Sequence, residues 1–329
     1  MSERPPTAFV LSGGAALGAV QVGMVRALYE RGVEPDLIVG TSVGALNGAY
    51  LASRPFTPQT TDQLAEVWGW IGRGQVFPLN PLTGFLGFFG ARRHLVPDGA
   101  LRELLAEHLE FDRLEQASVP FHVIATDVLS GAELRLSRGN ALEAVMASAA
   151  IPGVFPPVEW GHRHLIDGGV SNNAPISHAL ELGAERVYVL PTGSACDLLE
   201  PPRGALGMLL HSMSLLVTQR LRIEVELLRD RGEIIVLPPP CPLGVSPIDF
   251  GKSEELIRRG FEGSRSMLDR LDSGELEVAI PESMAAAPEP ILAMRSTRRA
   301  AQCEQLAVAG AGNGRPARGD ARRGEAGEC

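Results

Sequence analysis

Ser42 stands in Gly40-Thr41-Ser42-Val43-Gly44, with the apolar run Leu37-Ile38-Val39 before it and the helix-forming Ala45-Leu46-Asn47 after it. In a G-x-S-x-G turn the serine occupies a sharp strand-to-helix corner, and its flanking glycines let the backbone bend and a substrate come close. The corner also puts the hydroxyl at the start of a helix, where free N–H groups and the helix dipole favour developing negative charge. Ser42 is therefore the candidate nucleophile, with Gly40 and Gly44 as the glycines of its turn.

Upstream, Ala8-Phe9-Val10-Leu11 reads as a buried strand, followed by the small-residue loop Ser12-Gly13-Gly14-Ala15-Ala16-Leu17-Gly18-Ala19 and a helix over Val20 to Tyr29. Such a loop can turn successive backbone N–H groups toward an anion. A dinucleotide site needs G-x-G-x-x-G, and position 15 is alanine. A phosphate-binding P-loop needs Lys and Ser/Thr after its last glycine, where Ala19 and Val20 stand instead. The favoured reading is an oxyanion hole serving Ser42, because both loops emerge at the carboxyl ends of neighbouring parallel strands, where open α/β sheets place their sites. Its backbone donors come from Gly13, Gly14, Ala15, Ala16, Leu17 and Gly18, with Gly14 a position where a positive φ would exclude larger residues.

A third feature is Leu165-Ile166-Asp167-Gly168-Gly169, a short apolar strand ending in an aspartate and two glycines. Alone it is an ordinary Asx-turn sequence. Together, the features resemble the patatin-like phospholipases, serine acyl hydrolases that use a Ser/Asp dyad without a catalytic histidine. The resemblance covers roughly Ala8 to Thr192 and rests on matches in one order: the Gly13 to Gly18 loop followed by Gln21-Val22-Gly23, then Gly40 to Gly44, then Ala147-Ser148-Ala149-Ala150-Ile151-Pro152-Gly153-Val154-Phe155-Pro156-Pro157, then Asp167-Gly168-Gly169. It implies Ser42 as nucleophile, Asp167 as general base and the Gly13 to Gly18 backbone as oxyanion hole. Two positions depart from the family pattern, which usually has glycine where Ala15 stands and often an arginine where Leu17 stands. The first adds a Cβ to a loop of unusual backbone, and the second removes a cation that could support it.

Chain order agrees with this assignment. In the α/β-hydrolase order the nucleophile follows several strands, with an acid and then a histidine after it, whereas Ser42 arrives after only two strands. A Ser/His/Asp triad is the competing arrangement. Only His162, His164 and His178 flank the Asp167 segment, and Trp160-Gly161-His162-Arg163-His164 reads as a hairpin turn. A dyad requires Asp167 to take the serine proton directly, within hydrogen-bonding distance. A carboxylate is a weak base for an alcohol, so partial burial should raise its pKa and the oxyanion hole must supply much of the rate.

These residues need a scaffold. Strand patterns at 8–11, 37–39, 121–126, 133–136, 164–166, 186–191 and 233–237 alternate with helical patterns at 20–30, 45–53, 61–71, 99–109, 141–149, 175–182, 206–230 and 254–271. The alternation predicts a three-layer α/β/α fold around a mostly parallel central sheet. The 329 residues, 45% apolar, suffice for one large core, expected as a catalytic domain over 1–282. From 283 to 329 the chain turns rich in Ala, Gly, Arg and Pro and reads as a disordered tail.

The net charge of −9 argues against a nucleic-acid partner and gives no general attraction to anionic lipid. Membrane contact is therefore expected to be local, apolar and peripheral. Two segments are candidates for contact with lipid: the aromatic, Gly/Pro-punctuated stretch Val76 to Gly90, followed by Arg92 and Arg93, as a mobile flap over the site or an interfacial anchor, and the helix Met208 to Leu228, as a wall of an acyl-chain groove. Core packing is the competing explanation for both. Cys196, Cys241, Cys303 and Cys329 lack C-x-x-C or Cys/His spacing, so neither zinc nor a disulfide framework is indicated and free thiols are expected. No metal or organic cofactor is implied. Arg4 followed by Ala8 to Val20 superficially mimics a signal peptide, but cleavage there would remove the proposed oxyanion loop. A cytoplasmic protein, peripheral at membranes, is the expectation. The reading is a lipid acyl hydrolase acting on phospholipid or other lipid esters; an acyltransferase with the same serine corner and a non-catalytic lipid-binding protein are the alternatives.

Overall fold

A computed structural model describes residues 4–71, 96–193, 204–241, 245–247 and 249–275. They lie within a compact unit running from Met1 to Met284; the remainder, 285–329, and with it the expected tail, is outside the described residues. So is the Val76 to Gly90 stretch with Arg92 and Arg93.

Among the described residues eight strands build one sheet: β1 (Thr7–Leu11), β2 (Leu37–Thr41), β3 (Phe121–Asp127), β4 (Glu133–Leu136), β5 (Val158–Trp160), β6 (Arg163–Asp167), β7 (Arg186–Leu190) and β8 (Glu233–Val236). The order is β5-β6-β3-β2-β1-β7-β8, with β4 also paired to β3. The β3–β2–β1–β7–β8 run is parallel, and the contacts of β3 with β4 and β6, and of β5 with β6, are antiparallel. Every residue of β1 and β2 is buried, as expected for parallel strands covered on both faces, which read as continuous apolar runs.

The pleat sends Phe9 and Leu11 to one core and Ala8 and Val10 to the other. The first core is closed by α1 (Ala19–Tyr29), α2 (Val43–Leu51), α3 (Pro58–Trp70), α4 (Gly99–His108), α5 (Ala141–Ser148) and α8 (Ser253–Asp272). The second is closed by α6 (Ile176–Glu181) and α7 (Gly204–Leu228). The architecture is thus the expected three-layer α/β/α sandwich on a mostly parallel sheet.

In α7, Leu221, Val225 and Leu228 pack on the sheet, whereas Met213, Leu216, Ile223 and Leu227 are exposed. Among the described residues no helix is long and apolar enough to cross a membrane. The expectation of free thiols fails at Cys241, which is disulfide-bonded. Motif spacing detects metal sites and small cross-linked scaffolds, and carries no information on a pair brought together by tertiary structure.

Candidate active site

β2 ends at Thr41, α2 begins at Val43, and Ser42 between them has φ 55° and ψ −126°. A non-glycine residue held at such angles stores about 1–3 kcal/mol, which the surroundings must supply. They do so through Ser148 at the end of α5: its Oγ accepts from the Ser42 N–H at 2.8 Å and donates to the Ile124 carbonyl at 2.6 Å. The corner is thereby pinned to β3. Gly44 is required for close approach, since a Cβ there would lie 2.1 Å from the Leu11 carbonyl oxygen. Gly40, the penultimate residue of β2, packs in the same way against the backbone of Gly44 and Ala45.

Strand register brings Asp167 to this corner. Thr41 at the end of β2 lies opposite Ile124, and Asp167 at the end of β6 lies opposite the next residue, Ala125. Because β2 pairs with β3 in parallel and β6 pairs with it antiparallel, the two carboxyl ends meet. Ser42 Oγ donates to Asp167 Oδ2 at 2.6 Å, and the Gly169 N–H donates to Oδ1 at 2.7 Å. Gly168 opens a short helical turn after the aspartate, and a Cβ on it would lie 2.2 Å from the Ile124 carbonyl oxygen. Ser42 and Asp167 are each 6% exposed. Burial pushes the Asp167 carboxyl up to about 6, against the opposing pull of the Ser42 hydroxyl and the Gly169 N–H.

The Gly13 to Gly18 loop runs beside Ser42. A Cβ on Gly13 would lie 2.9 Å from Ser42 Cβ, and Ala15 lines the same cavity as Ser42. The N–H groups of Gly13, Ala16 and Leu17 donate to the carbonyls of Asn173, Pro247 and Gly14. Those of Gly14 and Ala15 have no acceptor among the described residues, nor does that of Val43 at the start of α2. Gly14 has φ 161°, so left-handed backbone is not what demands glycine there. Contact is: a Cβ would fall 2.0 Å from Thr192 Oγ1, whose hydroxyl donates to the Gly13 carbonyl at 2.6 Å. Left-handed backbone instead falls on Ala15, at φ 51°, the position where the family pattern has glycine. Leu17, in place of the family's arginine, packs its side chain against the first core.

A buried polar chain holds this loop from behind. Trp68 Nε1 donates to Asn47 Oδ1 at 3.0 Å; Asn47 Nδ2 donates to the Gly18 carbonyl at 3.0 Å and to Gln21 Oε1 at 2.8 Å. Gln21 Nε2 then donates to the carbonyls of Ser12 and Leu190 at 2.8 and 2.9 Å. Both amides have every polar hydrogen and oxygen engaged, and the chain ties the two ends of the loop to α2 and α3. The local sequence assigns no role to Ser148, Trp68 or Thr192, although Ser148 stands in the run that carries the family resemblance. Their importance comes from contacts between residues far apart in sequence, for which the local pattern holds no signal.

The three histidines that flank the Asp167 segment make their contacts or lie elsewhere. His178 Nε2 contacts Glu133 Oε1 at 2.7 Å, His164 lies within β6, and His162 is exposed in the turn between β5 and β6. Among the described residues the hydrogen bonds of the Ser42 hydroxyl and the Asp167 carboxylate involve no histidine. Among the described residues no group of three or more His, Cys, Asp or Glu side chains is arranged to hold a metal ion. The arrangement supplies a hydroxyl hydrogen-bonded to a buried base, unpaired N–H donors alongside, and apolar walls formed by Leu46, Trp68, Leu104 and Phe155. That set can perform acyl transfer to serine.

Comparison with known proteins returns a family model, patatin-like phospholipase, matching residues 9–180. Patatin-like phospholipase domain-containing protein 7 of Mus musculus is 28% identical over 301 residues, covering 82% of this chain and 21% of the relative. An uncharacterized NTE family protein of Mycobacterium tuberculosis is 31% identical over 186 residues, covering 56% of this chain and 48% of that one. The chain therefore spans about a fifth of the mouse relative and about half of the mycobacterial one. Among solved structures, VipD from Legionella pneumophila superposes with a TM-score of 0.44 at 14% identity, covering 82% of this chain and 67% of VipD.

Proposed function

From a chain that belongs to the patatin-like phospholipase family, and hence to a family of lipid hydrolases, we propose a serine acyl hydrolase of phospholipid or other lipid esters that works with a Ser42/Asp167 dyad. The observation that carries this reading is the 2.6 Å hydrogen bond from Ser42 Oγ to a buried Asp167 carboxylate.

Asp167 removes the Ser42 proton as Oγ attacks the ester carbonyl. The carbonyl oxygen, now an anion, is received by the N–H groups of Gly14 and Ala15, with that of Val43 available at the helix start. Each such donor contributes about 3 kcal/mol to the transition state. Asp167 then passes its proton to the leaving alcohol, and a water activated by the same carboxylate releases the acid and restores Ser42. Burial makes this possible, since a carboxyl raised to about 6 is a stronger base than an exposed one yet still ionised at neutral pH. Gly169 keeps one carboxylate oxygen engaged, which leaves the other aimed at Ser42.

The test is fatty-acid release from didecanoyl-phosphatidylcholine and from a short-chain p-nitrophenyl ester. Wild type should turn over both, and Ser42→Ala, which deletes one oxygen at the corner, should turn over neither while melting normally. Turnover retained in Ser42→Ala would overturn the reading.

A further inference from the structure

The Ser42 cavity does not end beside the serine. A second cavity lies next along α2, and the two share Leu46, Trp68, Ile71 and Leu104 as walls. On α2 the residues that line these cavities are Val43, Leu46, Ala49 and Tyr50, one face of the helix leading away from the nucleophile. Both cavities are lined almost wholly by apolar side chains, and each is narrow, about 50 Å³. Beyond Tyr50 and His108 the chemistry becomes mixed: a groove of about 510 Å³ brings in Arg54, Gln63, Glu66 and Glu107 beside the apolar Val67 and Trp70. The Arg54 guanidinium sits 3.7 Å from the Tyr50 ring centre and pairs with Glu110 at 2.7 Å, so a charged pair stands behind the last apolar wall.

We infer that the acyl chain of the substrate lies in this cleft between α2, α3 and α4, passing Leu46 and Leu104 and stopping at Tyr50 and His108, which limits the enzyme to medium-length acyl groups. The inference rests on the acyl-hydrolase reading above. Extended from Ser42, a chain has the eight-residue rise to Tyr50, about 12 Å, which accommodates roughly eight to ten carbons. The narrow section admits one methylene row, with the Leu46 and Leu104 side chains rotating aside as it enters. A longer chain would have to bring its apolar end against Arg54 and Glu66, and the loss of their hydration opposes that. Within the cleft each added methylene should raise kcat/KM by roughly threefold to fourfold, the value of one buried CH₂.

The experiment is a series of p-nitrophenyl esters from four to sixteen acyl carbons, each below its aggregation concentration, with wild type, Ala49→Leu and Tyr50→Ala. Wild type should gain steadily to eight or ten carbons and gain nothing beyond twelve. Ala49→Leu narrows the second cavity and should lower the ten-carbon to four-carbon ratio of kcat/KM at least tenfold. Tyr50→Ala removes the end wall and should raise the sixteen-carbon to eight-carbon ratio at least tenfold. Opposite shifts are not produced by a general loss of packing, and either variant alone suffices should the other fail to fold. Turnover of the four-carbon ester with no dependence on chain length, or shifts of the same sign in both variants, would overturn the cleft assignment and leave the hydrolase reading standing. No turnover of any ester, with no labelling by a fluorophosphonate, would overturn both.

Discussion

Replacing Asp167 by asparagine should separate catalysis from stability in opposite directions. The carboxyl is moved from 3.8 to about 6 by burial, so above that pH the folded protein holds a charge in surroundings that disfavour it. The difference corresponds to about 3 kcal/mol at neutral pH. The sign follows from proton binding: below about pH 4 the group is neutral in both folded and unfolded chains, and between about pH 4 and 6 only the unfolded chain gives up the proton, so the stability of the folded state falls by that amount across this window and stays lower above it. Asparagine carries no charge, and its geometry suits the site, since Oδ1 can accept from the Gly169 N–H while Nδ2 donates to Ser42 Oγ. Urea unfolding at pH 8 should therefore find Asp167→Asn more stable than wild type by up to about 3 kcal/mol, with the advantage gone at pH 4. Ester turnover at pH 8 should fall at least a thousandfold, a loss of about 4 kcal/mol in transition-state stabilisation. In wild type the acid limb of kcat/KM should lie near pH 6. A variant that is less stable than wild type by the same amount at both pH values would refute the argument, because Asp167 would then be a structural residue whose charge is not strained.

Three further outcomes follow from the site. His162→Ala, His164→Ala and His178→Ala should each stay within about tenfold of wild-type turnover, and one of them as inactive as Asp167→Asn would make the site a triad. Ala15→Gly should raise the urea midpoint by the equivalent of about 1 kcal/mol, because the left-handed backbone at this position disfavours a Cβ; an unchanged or lower midpoint counts against that strain. Asn47→Ala should cost about 3 kcal/mol in stability and lower kcat more than it raises KM, since it leaves Trp68 Nε1, Gln21 Oε1 and the Gly18 carbonyl without their partner; a pure KM effect would mean that this chain does not hold the oxyanion loop.

Much of this arrangement was legible from local pattern because the parts that matter are local. β1 and β2 are continuous apolar runs ended by small residues, which is how parallel strands buried on both faces must read. Ser42 and Asp167 each close such a run, so their positions at strand ends were visible before any fold was known. α2 begins at Val43 rather than at the expected Ala45, and Gly44 in its first turn lies against the Leu11 carbonyl, a tertiary contact with no local signal. β5 went unassigned, since three residues, Val158 to Trp160, are too few to show a period. What local pattern cannot carry is tertiary partnership. Ser148 stands in the run that carries the family resemblance, yet nothing in that run says that it holds the Ser42 N–H; Trp68 and Thr192 have no local mark of their partners, and Cys241 offers no hint of its disulfide. At Gly14 the sequence points to a constraint of backbone angle, whereas the obstacle is the Thr192 side chain.

The most direct measurement of the central claim is intact mass after incubation with a fluorophosphonate, followed by peptide mapping. Wild type should gain one adduct, on the peptide that contains Ser42, Asp167→Asn should gain it far more slowly, and Ser42→Ala should gain none. An adduct on Ser42→Ala at the wild-type rate, or an adduct on wild type mapping to any other residue, would contradict the account.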